Sequence, residues 1–207
     1  MPPKPKFTRE EVVAAALELV RQEGSQALTT RALGQRLGSS ARPIFTVFAN
    51  VEELHAEVRA AAMKYFEDYV GQAENYTPAF KQMGVQMLRF ACREPELFRL
   101  LFMEVHPNAA GIEGLRKILG NMVQLCTGFI RRDYGFSEKD AERLFDHMWI
   151  YTYGVGVLCA TGMCCFTEEE LTDMLGKEFM ALATLIRSGD YQYPSPRPIP
   201  TKKEETT

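Results

Sequence analysis

The sequence predicts an all-α protein with a small N-terminal head and a larger helical body. Apolar residues recur at helical spacing along most of the chain, while the strict alternation of a half-buried strand is nearly absent. The apolar stretches are also punctuated by helix signals, with Ser, Thr or Asn at the starts and Gly at the ends. Composition supports a packed fold: 46% of residues are hydrophobic and 25% charged, which is not the balance of a disordered chain.

The first helix is predicted to start after Thr8, because Thr8-Arg9-Glu10-Glu11 has capping-box spacing. Val12, Val13, Ala16, Leu17 and Val20 form its apolar face, and Gly24 ends it. A short second helix fits Thr29 to Leu37, and Gly38 breaks it. Ser40 then caps a third short helix reaching Phe48, and Asn50 opens a long fourth helix to about Gly71. Beyond it, Thr77-Pro78 reads as a cap followed by proline at the first helical position. Phe80, Met83, Met87, Leu88 and Ala91 define the next helix, and Pro95 restarts the chain through Phe102. A loop is expected around Pro107 to Gly111, then one long helix from Ile112 towards Gly135. Ser137 caps a helix running to Met163, and Thr167-Glu168-Glu169-Glu170 is a capping box for a last helix to Ile186. The expected division is a head over residues 1–48, a body over 49–188, and a disordered tail rich in Pro, Lys and Glu over 189–207.

Charge is divided unevenly. The chain carries −3 overall, but residues 1–48 hold seven Lys/Arg against four Glu. A mildly basic head on an acidic body fits a nucleic-acid reader attached to something else. No apolar run reaches the roughly 20 residues of a membrane span, and no signal-peptide core follows Met1, so a cytoplasmic protein with no membrane partner is expected. The five cysteines, Cys92, Cys126, Cys159, Cys164 and Cys165, are odd in number and lie in apolar, helix-like contexts. They read as reduced thiols, and without C-x-x-C spacing no metal site is assigned.

Two short helices joined by a glycine turn and propped by a helix on each side make a helix-turn-helix. The second helix must be short enough for its N-terminal end to enter a major groove. The helix before it must approach closely, which suits Gly34, and the turn needs the positive φ that Gly38 supplies. Residues 7–54 resemble the DNA-binding domain of the tetracycline-repressor (TetR) family. The likeness rests on Phe7-Thr8, Ala15-Ala16-Leu17-Glu18-Leu19, Gly24, Thr29, Leu33-Gly34, Gly38, Ser40, Ile44-Phe45, Phe48 and Glu52-Glu53-Leu54. The segment Glu94 to Phe102 is also of a kind seen in that family. The resemblance implies a regulator, by family habit a repressor, that binds a palindromic double-stranded DNA operator as a homodimer and answers to a small-molecule effector. It also has departures: Phe45 stands where tyrosine is usual, Val51 where lysine is usual, and Gly34 and Ser39 where alanine and valine are common.

On this reading Arg42 is the base-reading candidate, since arginine can bond guanine O6 and N7 together, with a phosphate contact as the other role. Pro43 is tolerated in the first turn of the recognition helix. Ser40 is a cap that could also touch a phosphate. Phe45 and Thr46 complete the DNA-facing set, Thr29 and Arg31 are phosphate partners, and Lys4 and Lys6 form a basic arm or a solubility tail. In the body, Met87, Phe98, Phe102, Met103, Met122, Cys126, Phe129, His147, Trp149 and Tyr153 would suit a cavity for an apolar or aromatic ligand, or simply a core. Gly154, Gly156 and Gly162, expected inside one apolar helix, suggest close crossing, with the last two helices as the dimer surface. A cysteine-based redox or metal sensor is the alternative regulator. A helical small-molecule carrier or enzyme is the third reading, although no catalytic set or cofactor motif is recognisable.

Overall fold

The structure, a computed structural model, describes residues 6–104 and 111–191. Among these residues there are nine α-helices and no strand. The expected loop at Pro107, the Lys4 end of the arm and most of the tail lie outside the described residues.

Helix α1 (Arg9–Glu23) begins as its capping box predicts. The Glu11 amide donates to Thr8 Oγ1 (3.1 Å) while the Thr8 amide donates to Glu11 Oε2 (2.8 Å). Thr29 caps α2 (Thr30–Arg36) and Asn50 caps α3 (Val51–Gly71) in the same way. Phe66 and Val70, on the buried face of α3, carry it from the head into the body.

The body is built round α4 (Ala79–Arg93), whose Phe80, Met83, Met87, Leu88, Phe90 and Ala91 are all buried. Thr77 is not its cap. The first amide, on Ala79, donates instead to Asp133 Oδ2 (2.9 Å), a carboxylate from the end of α7. Helix α5 (Pro95–Phe98) starts at proline and widens into a π-type turn over Arg99–Met103. The single long helix expected after residue 111 is two, α6 (Gly111–Leu119) and α7 (Asn121–Tyr134). Gly120 adopts φ +52 between them, which the helix cannot continue through. Arg116 of α6 reaches back to the buried Asp146 with two bonds, at 3.0 and 2.7 Å. Helix α8 (Glu138–Ala160) ends before Gly162, which turns at φ +70, so Gly162 is not inside it as expected. Helix α9 (Glu168–Ser188) opens with the expected capping box and stops at Gly189.

An aromatic cluster fills the centre. Phe66 meets Phe90 and Phe102 edge-on, with ring centres 5.0 Å apart in both pairs, and Phe102 continues to Trp149 at 5.9 Å. Edge-to-face pairs of this kind add to the value of the area they bury. Gly156 explains the α8 glycines in part: a Cβ there would stand 2.7 Å from Phe98 Cζ and 3.6 Å from Ala91 Cβ. The close crossing is therefore within the chain. Gly154 is exposed and meets nothing.

The Asp133 carboxylate is held below the usual range, first by Arg132 and also by the Ala79 amide. A depressed folded value means its stabilisation is complete above the unfolded value of about 4 and is lost as pH falls through the folded value. Asp133→Asn should therefore lower stability by about 1 kcal/mol at neutral pH. The difference between variant and parent should close towards pH ~3. Urea midpoints at the two pH values check it; a gap that persists in acid would remove the carboxylate from this role.

Candidate functional site

The head is held together by an arginine that the sequence did not single out. Arg9 Nη1 donates to the Val47 carbonyl (3.1 Å) and pairs with Glu53 (2.7 Å), and its Nη2 pairs with Glu57 (2.8 Å). Its guanidinium lies 4.4 Å from the centre of the Phe48 ring. Bonding to Glu57 and then Glu53 raises the Arg9 pKa, while the Ala49 amide and Arg9 lower that of Glu53. One side chain thus fixes the end of the recognition segment against both α1 and α3.

The recognition segment itself differs from expectation. No regular helix starts at Ser40. The Ile44, Thr46 and Val47 amides bond three residues back, giving a tight 3₁₀ turn over Ile44–Thr46, and only the Phe48 amide reaches four back, to Ile44. Two causes are visible. Pro43 has no N–H to extend a helix, and Gly34 lets the Ser40–Ala41 backbone settle onto α2, where a Cβ would lie 2.9 Å from the Ser40 carbonyl carbon. Ser40 is exposed and caps nothing. Thr46 turns its hydroxyl to the Pro43 carbonyl (2.6 Å).

Ile44 and Phe48 point into the core, while Arg42, Phe45 and Thr46 stay in solvent, Phe45 with 46% of its surface exposed. Arg31 is exposed on α2, and Thr29 uses its hydroxyl on the Ala32 amide (3.1 Å). Lys6 bonds Ser39 Oγ (3.1 Å), so this part of the arm is tied to the turn. Val51, in the first turn of α3, is half-buried.

In the body, a cavity of about 180 Å³ lies among α3, α4, α7, α8 and α9. Helical spacing builds its walls: Phe80, Met83, Gly84 and Met87 from α4, and Phe145, Met148, Trp149 and Thr152 from α8. Four of the residues expected to line a cavity do so, Met87, Met122, Cys126 and Trp149. The other six do not. Phe98, Phe102 and Tyr153 pack into the aromatic cluster, where the Tyr153 hydroxyl donates to the Phe102 carbonyl (3.0 Å). Met103 is exposed, Phe129 lies beneath the Arg132 guanidinium, and His147 bonds the Tyr191 hydroxyl. His147, two residues from both Phe145 and Trp149, is out of phase with the wall on α8. The wall residues missed, including Leu175, Gly176, Phe179 and Met180 of α9, repeat at three and four residues, a signal the sequence carries.

The lining is almost wholly apolar. Burial pushes the Cys126 thiol and the Tyr134 phenol up to about 12, keeping both neutral. The cationic group on the wall is Lys81, at the crossing of α4 and α9, where a Cβ on Gly176 would stand 3.9 Å from its Nζ. Lys81, Gly176 and Met180 also border an open groove on the outer surface, so the cavity's mouth is there.

Head and body meet at a polar joint. Arg21 of α1 grips Glu94 with both arms of its guanidinium, one through Nε at 2.7 Å, and the Tyr65 hydroxyl donates to the same carboxylate at 3.2 Å. Bonding to Glu94 raises the Arg21 pKa, and burial raises that of Tyr65. Arg59 of α3 ties the π-type turn by donating to the Leu100 carbonyl (2.6 Å) and pairing with Glu104.

No family model matches the chain, and no curated protein matches it in sequence. Solved structures do match in shape. A TetR-family transcriptional regulator from Vibrio parahaemolyticus aligns over 84% of this chain and 97% of its own, with TM-score 0.58 and 20% identity. A TetR-like regulator from Rhodococcus sp. RHA1 aligns over 87% and 95%, with TM-score 0.63 and 15% identity. The TetR-family repressor FadR of Thermus thermophilus, solved in complex with lauroyl-CoA, aligns over 92% and 98%, with TM-score 0.52 and 18% identity. The chain has the TetR-family fold. These alignments cover 84–92% of the chain, so the likeness of fold extends well past the segment whose residues carry the sequence resemblance.

Gly34 offers a direct check on the head. In Gly34→Ala the new methyl would press on backbone, which cannot rotate away as a side chain can. The strain should outweigh the gain in helix propensity of about 1 kcal/mol, leaving a net loss of about 1–2 kcal/mol. Chemical denaturation measures it; a variant as stable as the parent would mean that the Ser40–Ala41 backbone is not held against α2.

Proposed function

We propose that this chain is a TetR-family transcriptional regulator that binds a palindromic operator as a homodimer and is controlled by a small apolar effector held in the body cavity. The observation carrying this reading is the combination, within one TetR-type fold, of a helix-turn-helix exposing Arg42 and an apolar cavity in the body joined to that head. The three structural neighbours are regulators, which favours this over an enzymatic reading. Dimerisation would use α8 and α9, where Ile150, Gly154, Ala181 and Leu185 are exposed. An effector acts only through a different affinity for the DNA-competent and incompetent states. The Arg21–Glu94 joint is the route by which a change in the body reaches the head.

The cavity favours an effector with an apolar tail and an anionic end. The tail would lie against Met83, Met87 and Trp149, and the anionic end would sit at Lys81. The Thermus neighbour, which holds an acyl thioester, is consistent with this chemistry. Fluorescence anisotropy on duplexes flanking the gene should show operator binding that dodecanoate releases. Lys81→Glu should weaken the response to dodecanoate about tenfold and leave that to dodecanol nearly unchanged, a loss of ~1.4 kcal/mol for the lost charge pair. Equal loss for both compounds would remove Lys81 from head-group recognition, and the absence of any DNA binding would overturn the regulator reading.

The two departures on the head supply a second test. Val51→Lys restores a cation in the first turn of α3, so it should tighten binding to operator and to random DNA alike. The salt slope of log affinity should steepen by about 0.9 per phosphate neutralised, about two units over both halves of a dimer. Phe45→Tyr adds no charge and should leave the slope unchanged. Arg42→Ala should instead relax preference at one base pair per half-site by ~1–3 kcal/mol. An unchanged slope for Val51→Lys would take α3 away from the phosphates.

A further inference from the structure

Four of the five cysteines meet in one corner of the body. Cys92 lies at the C-terminal end of α4 and Cys159 at the C-terminal end of α8. The two helices are brought together one turn earlier, where the missing Cβ of Gly156 leaves room for Ala91. Cys92 and Cys159 are neighbours just beyond that crossing, one on each helix end. Beyond the helix end the chain folds back at Gly162, and the Cys164 amide donates to the Leu158 carbonyl (3.1 Å). That return places Cys164 and Cys165 close enough to interact electrostatically with Cys159. Cys92 and Cys165 are exposed and Cys159 is half-buried, while Cys126 is sealed in the cavity wall. Among the described residues, no three His, Cys, Asp or Glu side chains are grouped to hold a metal ion. Two-thiol chemistry is what the contact supports.

The corner adjoins the joint between head and body. Glu94, which holds Arg21 and Tyr65, is two residues beyond Cys92. The Ala160 carbonyl, next to Cys159, accepts from Arg99 Nη2 at 2.6 Å.

We propose that Cys92 and Cys159 form a reversible disulfide in response to a hydroperoxide, and that closing it loosens the head's hold on operator DNA. The first half stands on the close crossing that brings the two cysteine-bearing helix ends together; the second rests on the regulator reading. In the first step the Cys92 thiolate attacks the outer peroxide oxygen, an S–O bond forms, the O–O bond breaks, and the alkoxide leaves as an alcohol after taking a proton. In the second, the Cys159 sulfur attacks the Cys92 sulfenic acid, the S–S bond forms, and the hydroxyl leaves as water with the Cys159 proton. Two thiols are oxidised by two electrons and the hydroperoxide is reduced to alcohol and water. Burial pushes the Cys159 thiol up to about 12, so first attack falls to the exposed Cys92. Bonded sulfurs sit at about 2 Å, much closer than thiols in contact, so closure draws the end of α4 towards α8 and moves Glu94 under Arg21.

The test uses the full chain, reduced and then treated with cumene hydroperoxide. Peptide mapping without reductant should find a Cys92–Cys159 cross-link, with the loss of two hydrogens, that dithiothreitol reverses. Cys92→Ser and Cys159→Ser should each abolish it, and Cys165→Ser should not; circular dichroism confirms that each variant is folded. No cross-link, or one made through Cys164 or Cys165, would overturn the pair. Operator affinity by anisotropy should fall at least fivefold on oxidation of the parent and stay unchanged in Cys159→Ser. A cross-link without change in affinity would overturn the coupling. Failure of both redox states to bind any duplex would count against the regulator reading and leave the mapping to decide the thiol pair.

Discussion

The fold turns on one contact, the Phe98 ring seated against Gly156. Any side chain on α8 at that point would collide with the ring, since even a Cβ would stand 2.7 Å away. Because the contact is allowed, α5 can lie between α8 and the head, and α4 can run close alongside α8. The ring then stacks with Tyr153 and meets Phe102 at a tilt, which links the contact to Phe66 on α3. The cavity exists on the other flank of α4 because this flank is packed solid. Protein interiors are close to crystalline in density, so a void must be framed by parts that cannot collapse into it.

Polar ties supply the alignment that apolar packing leaves loose. Arg9, Arg21, Arg59 and Arg116 each join elements distant in sequence, and all four bond a main-chain carbonyl or a nearly buried carboxylate as well as an ordinary surface partner. As exposed ion pairs they would contribute little. Their value is directional, because a planar guanidinium fixes two acceptors at once. Arg9 does this for the recognition turn, and Arg21 for the seat of the whole head.

Much of this was legible in the sequence, for identifiable reasons. Capping boxes at Thr8 and Thr167 and the caps at Thr29, Asn50 and Ser137 act within a few residues, and all five hold. What local rules missed was decided at long range. Asp133 displaced Thr77 as the cap of α4 from 54 residues away. The recognition segment tightened because α2 presents Gly34, a packing fact that propensity at Ser40 cannot express. Gly120 split a helix whose apolar period runs straight through it. The cavity wall was half-read for a similar reason. A list of Met, Cys and aromatic residues selects by chemistry, whereas the wall is selected by helical phase, which keeps Trp149 and rejects His147 two residues earlier.

An apolar hollow within the body also affects how long the protein lasts. At about 24 cal/mol per Å³ of void, a cavity of about 180 Å³ leaves the empty fold on the order of 4 kcal/mol short of a filled one. That is a large share of the total stability of a domain, about 5–15 kcal/mol. A ligand that fills it at a hundred times its dissociation constant restores about 2.7 kcal/mol by mass action. On the proposed function, occupancy would then set the fraction of chains exposed to proteolysis, and the cellular level of the protein would rise and fall with the compound that fills it.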